Sequence, residues 1–407
     1  MGVETTEQGG VAPAAERRSP TVHELVDAME GMPLSLGYDE LANEPVKTGP
    51  LPWDGGAGTR PWSQLDDAEL FANLQDGIGL RSEKDLDRAA VIYAHRHSFN
   101  PLTDLLGGIE WDGTERAGTL LATYLGAVDT PYTRAVELTF LCGAIARAHR
   151  PGCKFDLMPV LIGHGGIGKS TFVRRAALRD AYFTDSVYDL GNIKATGEVL
   201  RGKWLVELSE LGGIKGRSLE AVRAGVTRQT DTFRVAYGKR STDFPRRSVF
   251  VGTTNTIGFI AEKSSGARRF LPVLCGVNPA AKSVHSDEFA RDARQAWAEV
   301  LTWMRSGDPR FSLMLSQEME LEAARQREGF LQEDPRVDAI NAYLDANRDH
   351  LVCTREIADR ALRVEPTQKL FLDVSDILSN QCPGWFFAGK RKCGGYGKQR
   401  AWEYRGA

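Results

Sequence analysis

The sequence predicts an α/β fold, and two sets of residues carry that prediction. The first is residues 157–178: a short apolar run, Leu-Met-Pro-Val-Leu-Ile, then the turn Gly163-His-Gly-Gly-Ile-Gly168-Lys169-Ser170, then a segment from Thr171 onward with helical spacing. An apolar run that short suits a strand buried on both faces, and strand, glycine turn and helix in succession is a unit from which parallel sheets are built. The second is a series of later apolar runs, at residues 202–210, 248–255 and 270–274, each bounded by polar or charged residues. They read as further strands of the same sheet.

A chain of 407 residues exceeds one ordinary core and predicts two or three domains. Hydrophobic residues at 42% and charged residues at 26% describe a soluble globular protein. No apolar run approaches the ~18 residues of a membrane span, and the first residues lack a signal-peptide core, so a cytoplasmic location with no membrane partner is expected. The net charge of −3 exerts no global pull on nucleic acid; any such binding must come from local clusters. The six cysteines form no C-x-x-C pair and read as free thiols.

In chain order, residues 1–20 have little to bury and are expected to be a disordered tail. Residues 21–150 read as a mostly helical N-terminal module, with helices near 22–29, 66–74 and 83–94. His95 and His97 form a His-x-His pair with no third ligand nearby and read as structural. Asp112-Gly113 predicts a turn with Trp111 buried beside it, followed by helices at 117–125 and 132–149, the latter stopped by Pro151-Gly152.

Residues 151–310 read as the core. Gly163, Gly165, Gly166 and Gly168 permit a turn whose backbone N–H groups point inward at phosphate oxygens, at the N-terminus of the helix that includes Thr171. In this pattern Lys169 reaches the β- and γ-phosphates and Ser170 binds Mg²⁺, so ATP and Mg²⁺ are the expected ligands and the core is a P-loop NTPase. Glu207 and Glu210 close the next strand and are the candidates for holding the metal and activating the attacking water, with Glu210 expected on the metal beside Ser170. Asn255, at the end of the third strand, is expected to sense the γ-phosphate. Residues 227–247 are densely basic: Arg228, Arg234, Lys239, Arg240, Arg246 and Arg247 could track a phosphate backbone, and Phe233 and Tyr237 could stack on bases. Gly238 suits the tip of a hairpin; a merely solvated charged hairpin is the alternative. Arg268 and Arg269 precede the next strand, where an arginine can act on a neighbouring subunit's γ-phosphate or close a salt bridge.

Beyond the core, residues 286–306 predict a long amphipathic helix ended by Gly307, and residues 311–334 a helical connector. Residues 335–407 restart as a small module: a helix marked by Val337, Ile340 and Leu344, a second capped by Thr354, a third over 371–378, and two strands at 385–387 and 400–404 joined by a basic, glycine-rich loop. That order resembles a winged helix, expected to bind DNA through its third helix and wing, or else to dock protein.

Taken together, Trp-Asp-Gly-Thr-Glu-Arg (111–116), Tyr-Leu-Gly-Ala (124–127), Pro-Gly-Cys-Lys-Phe-Asp (151–156), the glycine loop, residues 202–211, Thr-Arg-Gln-Thr-Asp (227–231), Phe-Pro-Arg (244–246), Gly-Thr-Thr-Asn (252–255) and Arg-Arg-Phe-Leu-Pro-Val (268–273) resemble the virulence-associated protein E family over about residues 100–310. That family occurs in phages, prophages and mobile islands and is similar to superfamily 3 replicative helicases with an AAA+-like core. The resemblance implies a hexameric homo-oligomer with arginine fingers between subunits. It also implies that the basic segment, with Arg234, Tyr237, Lys239 and Arg240, contacts single-stranded or forked DNA. Some relatives carry a primase domain ahead of the helicase. The first 100 residues here show no acidic primase constellation, so priming is expected from a separate primase or host replication protein. The reading is an ATP-dependent DNA helicase or translocase in mobile-element replication; the alternative is a non-unwinding AAA+-like switch that regulates a partner.

Overall fold

The computed structural model describes residues 18–187, 189–211, 217–234, 241–255, 265–330 and 335–406. These divide into two units, one drawn from Met1–Asn255 with Arg268–Gln326, the other from Thr256–Ala267 with Arg327–Ala407. No described helix is long and apolar enough to cross a membrane.

The first unit begins with α1 (Val22–Glu30), nucleated by a reciprocal capping box between Thr21 and Glu24, and buries Leu25, Val26 and Met29. Four short strands follow in sheet order β3-β2-β1-β4: β1 (Leu36–Asp39), β2 (Glu44–Lys47), β3 (Arg60–Pro61) and β4 (Ser98–Phe99). The sequence reading finds no element between residues 31 and 60, because strands of two to four residues are too short to display an alternation. Helices α2 (Gln64–Ile78) and α3 (Glu83–Arg96) share a core with α1 through Leu70, Leu74, Leu86 and Tyr93. His95 stacks on Tyr38 at 4.0 Å, and His97 hydrogen-bonds the Tyr93 carbonyl at 3.0 Å.

Next come α4 (Pro101–Gly107), α5 (Leu120–Leu125) and α6 (Pro131–His149). Trp111 is only half-buried, not buried as expected; its indole N–H donates to the Thr114 carbonyl at 3.0 Å. The adjoining turn is held instead by Arg116, which pairs with Asp112 at 2.8 Å and Asp292 at 3.0 Å. Helix α5 starts three residues later than the sequence suggests, after Gly118 at φ 89°. Thr119 supplies no side-chain cap. Buried Glu137 of α6 does so, accepting from the N–H groups of Gly118, Leu120 and Leu121, and burial pushes its carboxyl up to about 7.

The centre of the unit is a parallel five-stranded sheet of order β11-β5-β10-β7-β6. Its strands are β5 (Met158–Ile162), β6 (Phe183–Thr184), β7 (Leu205–Leu208), β10 (Val249–Thr254) and β11 (Phe270–Leu274). Every residue of β5, β7 and β10 is buried, which is why they read as unbroken apolar runs and not as alternations. Helix α7 (Lys169–Ala176) follows β5. Helices α8 (Ile193–Leu200) and α9 (Arg217–Thr227) and an antiparallel ribbon of β8 (Thr230–Phe233) and β9 (Thr242–Pro245) complete the crossings. Helix α10 (Asp287–Ser306), capped by Ser286 and ended by Gly307 at φ 69°, lays Trp297 against Trp204, ring centroids 4.5 Å apart. Helix α11 (Gln317–Glu328) follows.

The second unit holds α12 (Pro335–Asp345), β12 (Val352–Cys353), α13 (Thr354–Glu356), α14 (Gln368–Asn380), β13 (Trp385–Lys392) and β14 (Lys398–Tyr404), with sheet order β12-β14-β13. Thr354 does not cap the second helix. It is the buried first residue of α13, and the chain runs on into a π-turn over Ile357–Ala361. The hairpin strands extend into the segment read as a loop, leaving only residues 393–397 as the turn. A basic stretch that projects from the core has no apolar alternation to betray it.

Candidate active site

In a parallel sheet the carboxyl ends of the strands meet at one edge, where the loops leave room for a ligand. Here β5, β7 and β10 end side by side, and the glycine loop leaves β5 at that edge. Gly163 donates its N–H to the Thr254 carbonyl at 3.2 Å. Its neighbour on the other side is so close that a Cβ would lie 2.6 Å from the Cys275 carbonyl oxygen, so only glycine fits. Gly166 and Gly168 take φ of 86° and 92°, and the loop then enters α7 with no side-chain cap at Gly168. The first N–H groups of that helix, beginning at Lys169, Ser170 and Thr171, therefore face the cleft as an anion-receptive end.

Lys169 is largely buried, and its ammonium donates to the carbonyls of Gly163 (2.6 Å) and His164 (3.0 Å) and to Asn255 Oδ1 (3.0 Å). Burial lowers its pKa. Glu207, in β7, is 1% exposed. Its Oε1 accepts from Ser170 Oγ at 2.7 Å and from Thr253 Oγ1 at 2.6 Å, while Oε2 is buried with no hydrogen-bond partner among the described residues. An unsatisfied buried carboxylate oxygen costs ~1–3 kcal/mol or more and calls for a cation or ordered water. Beside a serine hydroxyl it is a hard oxygen donor set of the kind Mg²⁺ takes, so the residues present fit the expected metal.

Glu210 lies just past β7, exposed, with its backbone in the left-handed region at φ 57°. It lines a cleft of about 340 Å³ with Gly165, Gly166, Gly168, Lys169, Ser170, Thr171, Ser209, Thr253, Thr254, Asn255 and His285. Thus Glu207, Glu210, Asn255 and the loop residues come together. The hydroxyl of Ser170 meets Glu207, not the Glu210 expected beside it. Thr253 and His285 are additions to the sequence reading. Thr253 stood within the Gly-Thr-Thr-Asn signal; His285 is 30 positions beyond Asn255 with no motif around it.

Arg268 is exposed, whereas Arg269 pairs with Asp156 at 3.3 Å; neither lines the cleft. In the basic segment Arg234 is exposed at the end of β8, and Tyr237, Lys239 and Arg240 lie outside the described residues. Three of the cations expected to track phosphate are committed elsewhere. The Arg246 guanidinium is 1% exposed and grips Asp231 through bonds of 2.6 to 3.0 Å. Arg228 reaches the same carboxylate at 3.2 Å, and Arg247 pairs with Glu40 at 3.4 Å. Phe233, offered as a base-stacking ring, is buried and stacks on Phe244 at 4.6 Å. The reason is strand parity: Asp231 and Phe233 alternate with exposed neighbours and point inward.

A parallel α/β sheet whose glycine loop gathers a lysine, a serine and a buried glutamate at its carboxyl edge is the class of structure these residues form. The chain belongs to the virulence-associated protein E-like domain family, which matches residues 106–332. Among solved structures it is similar to the apo structure of the NrS-1 C-terminal region (305–718), at 11% identity and a TM-score of 0.50, over 94% of this chain and 98% of that one. An A-form apo structure of the same region gives a TM-score of 0.48 at 11% identity, over 94% and 99% of the two chains. At that identity the likeness concerns the fold. No curated protein matches the chain.

Proposed function

We propose that the chain is a P-loop ATPase that moves along or unwinds DNA in the replication of a phage or other mobile element. The observation that carries the ATPase reading is Glu207: a carboxylate buried at the carboxyl edge of the sheet, bonded to Ser170 through one oxygen and, among the described residues, without a partner at the other. Glu137 satisfies both its oxygens with three backbone N–H groups, whereas Glu299, outside the cleft, leaves one buried oxygen without a partner among the described residues; what sets Glu207 apart is that its open oxygen accompanies a bond to the hydroxyl that ends the glycine loop. Ser170 and Glu207 would hold Mg²⁺, which when bound neutralises charge on the β- and γ-phosphate oxygens.

The other roles follow from the positions of the side chains. The N–H groups opening α7 receive the phosphates, and the Lys169 ammonium exchanges the Gly163 and His164 carbonyls for a γ-phosphate oxygen. Asn255, already bonded to Lys169, is the residue through which phosphate occupancy is felt at the end of β10. Glu210, exposed on the cleft, orients and deprotonates the attacking water. Its left-handed backbone costs ~1–2 kcal/mol, a strain of the sort found where a side chain must be aimed. Arg268, exposed and not among the residues that line its own cleft, serves a neighbouring subunit in a ring; Arg269 pairs with Asp156. DNA runs along the basic segment that connects β8 to β9, with Arg234 the described member of that contact. Strand displacement by purified protein on a forked duplex tests the motor reading: Mg²⁺- and ATP-dependent unwinding is expected. Hydrolysis without unwinding or translocation would favour a regulatory switch.

A further inference from the structure

The hairpin of the second unit distributes its charge in an unusual way. β13 and β14 pair with Phe387 opposite Trp402 and Gly389 opposite Ala401, so that Ala388 is an extra residue; then Lys390 faces Arg400, Arg391 faces Gln399 and Lys392 faces Lys398. Side chains alternate along a strand, so Lys398, Arg400 and Trp402 share one face of β14. Without the bulge, Phe387 would share its face with Gly389 and Arg391. The inserted residue changes the parity and puts Lys390 and Lys392 there instead. Gly389 makes this possible, at φ 87°.

The result is two successive cross-strand pairs of like charge, Lys390 with Arg400 and Lys392 with Lys398, all exposed. Directly opposed like charges destabilise a hairpin, and none of the four forms an ion pair among the described residues. The face is nevertheless held in place. Tyr396, in the turn, donates to Asp359 at 2.6 Å and accepts from Arg360 at 3.2 Å, which ties the turn to the π-turn over Ile357–Ala361. Arg400 lies over the rings of Phe387 (5.1 Å) and Trp402 (5.9 Å). Helix α14, the third of the module, is different: it exposes Gln368, Lys369, Leu372 and Asp376, one cation against one carboxylate.

We propose that this unit binds the phosphate backbone of nucleic acid through the Lys390, Lys392, Lys398 and Arg400 face of its hairpin, and not through α14. Cations two residues apart on a strand are ~6.8 Å apart, close to the separation of neighbouring phosphates along a nucleic-acid strand. A polyanion laid across the face turns the repulsion between the opposed pairs into attraction. Such contacts carry no base information, so the binding is insensitive to sequence and steeply salt-dependent. The inference stands on the hairpin alone and is independent of the nucleotide site.

The test uses the full chain without nucleotide and a labelled duplex or single strand of about 20 nucleotides, titrated between about 0.05 and 0.3 M salt. In Lys390→Gln/Lys392→Gln/Lys398→Gln, affinity should fall at least ~10-fold at 0.1 M salt and the slope of log K against log salt should flatten by about 2 to 3. The matched Lys390→Arg/Lys392→Arg/Lys398→Arg variant should bind as wild type, which separates lost charge from lost fold. Gln368→Ala/Lys369→Ala/Leu372→Ala should leave affinity unchanged. A salt slope unchanged in the glutamine variant would overturn the proposal and leave an acidic protein as the surface's partner; so would a larger loss in the α14 variant. Failure of the ATPase reading would not alter these results, since no nucleotide is present.

Discussion

Ser170 and Glu207, 37 positions apart, are joined by a 2.7 Å hydrogen bond from the serine hydroxyl to a carboxylate whose second oxygen has no partner among the described residues. The pair links the start of α7 to β7, and it puts Glu207 beside Ser170 where the sequence reading expected Glu210. Glu207→Gln should lower Mg²⁺-dependent ATP hydrolysis by ~10²-fold or more and weaken Mg²⁺-dependent nucleotide binding. Glu210→Gln should keep nucleotide binding and lose turnover by ~10²–10⁴-fold. Reversed phenotypes, read by nucleotide titration and steady-state ATPase, would exchange the two roles.

Lys169→Ala should abolish hydrolysis and weaken ATP binding, because the ammonium is the cation closest to the expected phosphate position. Gly163→Ala should also be inactive but for a steric reason, since its Cβ would lie 2.6 Å from the Cys275 carbonyl oxygen. The two are told apart by melting temperature, which should fall further in Gly163→Ala, where the added Cβ clashes with backbone, than in Lys169→Ala, which removes three hydrogen bonds.

Arg246→Ala leaves Asp231 buried with its principal partner removed, and should cost about 3–5 kcal/mol of stability. Denaturant unfolding measures this. A stable variant with selectively weakened DNA binding would restore Arg246 as a phosphate contact.

Lys169→Ala and Arg268→Ala should each be inactive alone, yet ATPase should reappear when the two are mixed under subunit exchange, at about a quarter of interfaces by random assortment. Arg269→Ala should instead lower stability, because it removes the partner of Asp156. A mixture that exchanges subunits, as seen by fluorescence transfer, and stays at background would exclude independent shared sites.

The protonated His350 ring donates to Glu356 at 3.0 Å and to Asp349 at 3.1 Å, and these carboxylates raise its pKa above the ordinary 6.5. The folded value is the higher one, so the stabilisation is complete below the unfolded pKa and is lost as pH rises through the folded one. Melting of wild type relative to His350→Gln should therefore lose its advantage as pH rises from the ordinary imidazole range through the raised folded pKa. An advantage constant over that range would mean the imidazole is a neutral hydrogen-bonding group.

The extent of what the sequence alone determines differs sharply between parts of the chain. β5, the glycine loop and α7 are legible because their physics is local: a buried run, glycines at positive φ, and a helix whose first N–H groups need a ligand. The long helix α10 is legible for the same reason, with Ser286 and Gly307 marking its ends. The N-terminal strands are not, since pairs such as Val46 with Pro61 are formed by partners distant in the chain and have no local pattern. Tertiary structure alone decides which charges are spent internally: Arg246, just past β9, pairs with Asp231 of β8, while the sequence shows only a run of cations. The same holds for Ser170 meeting Glu207 and for Lys390 facing Arg400, because strand order and the parity set by one extra residue are properties of pairing, and pairing is a long-range choice.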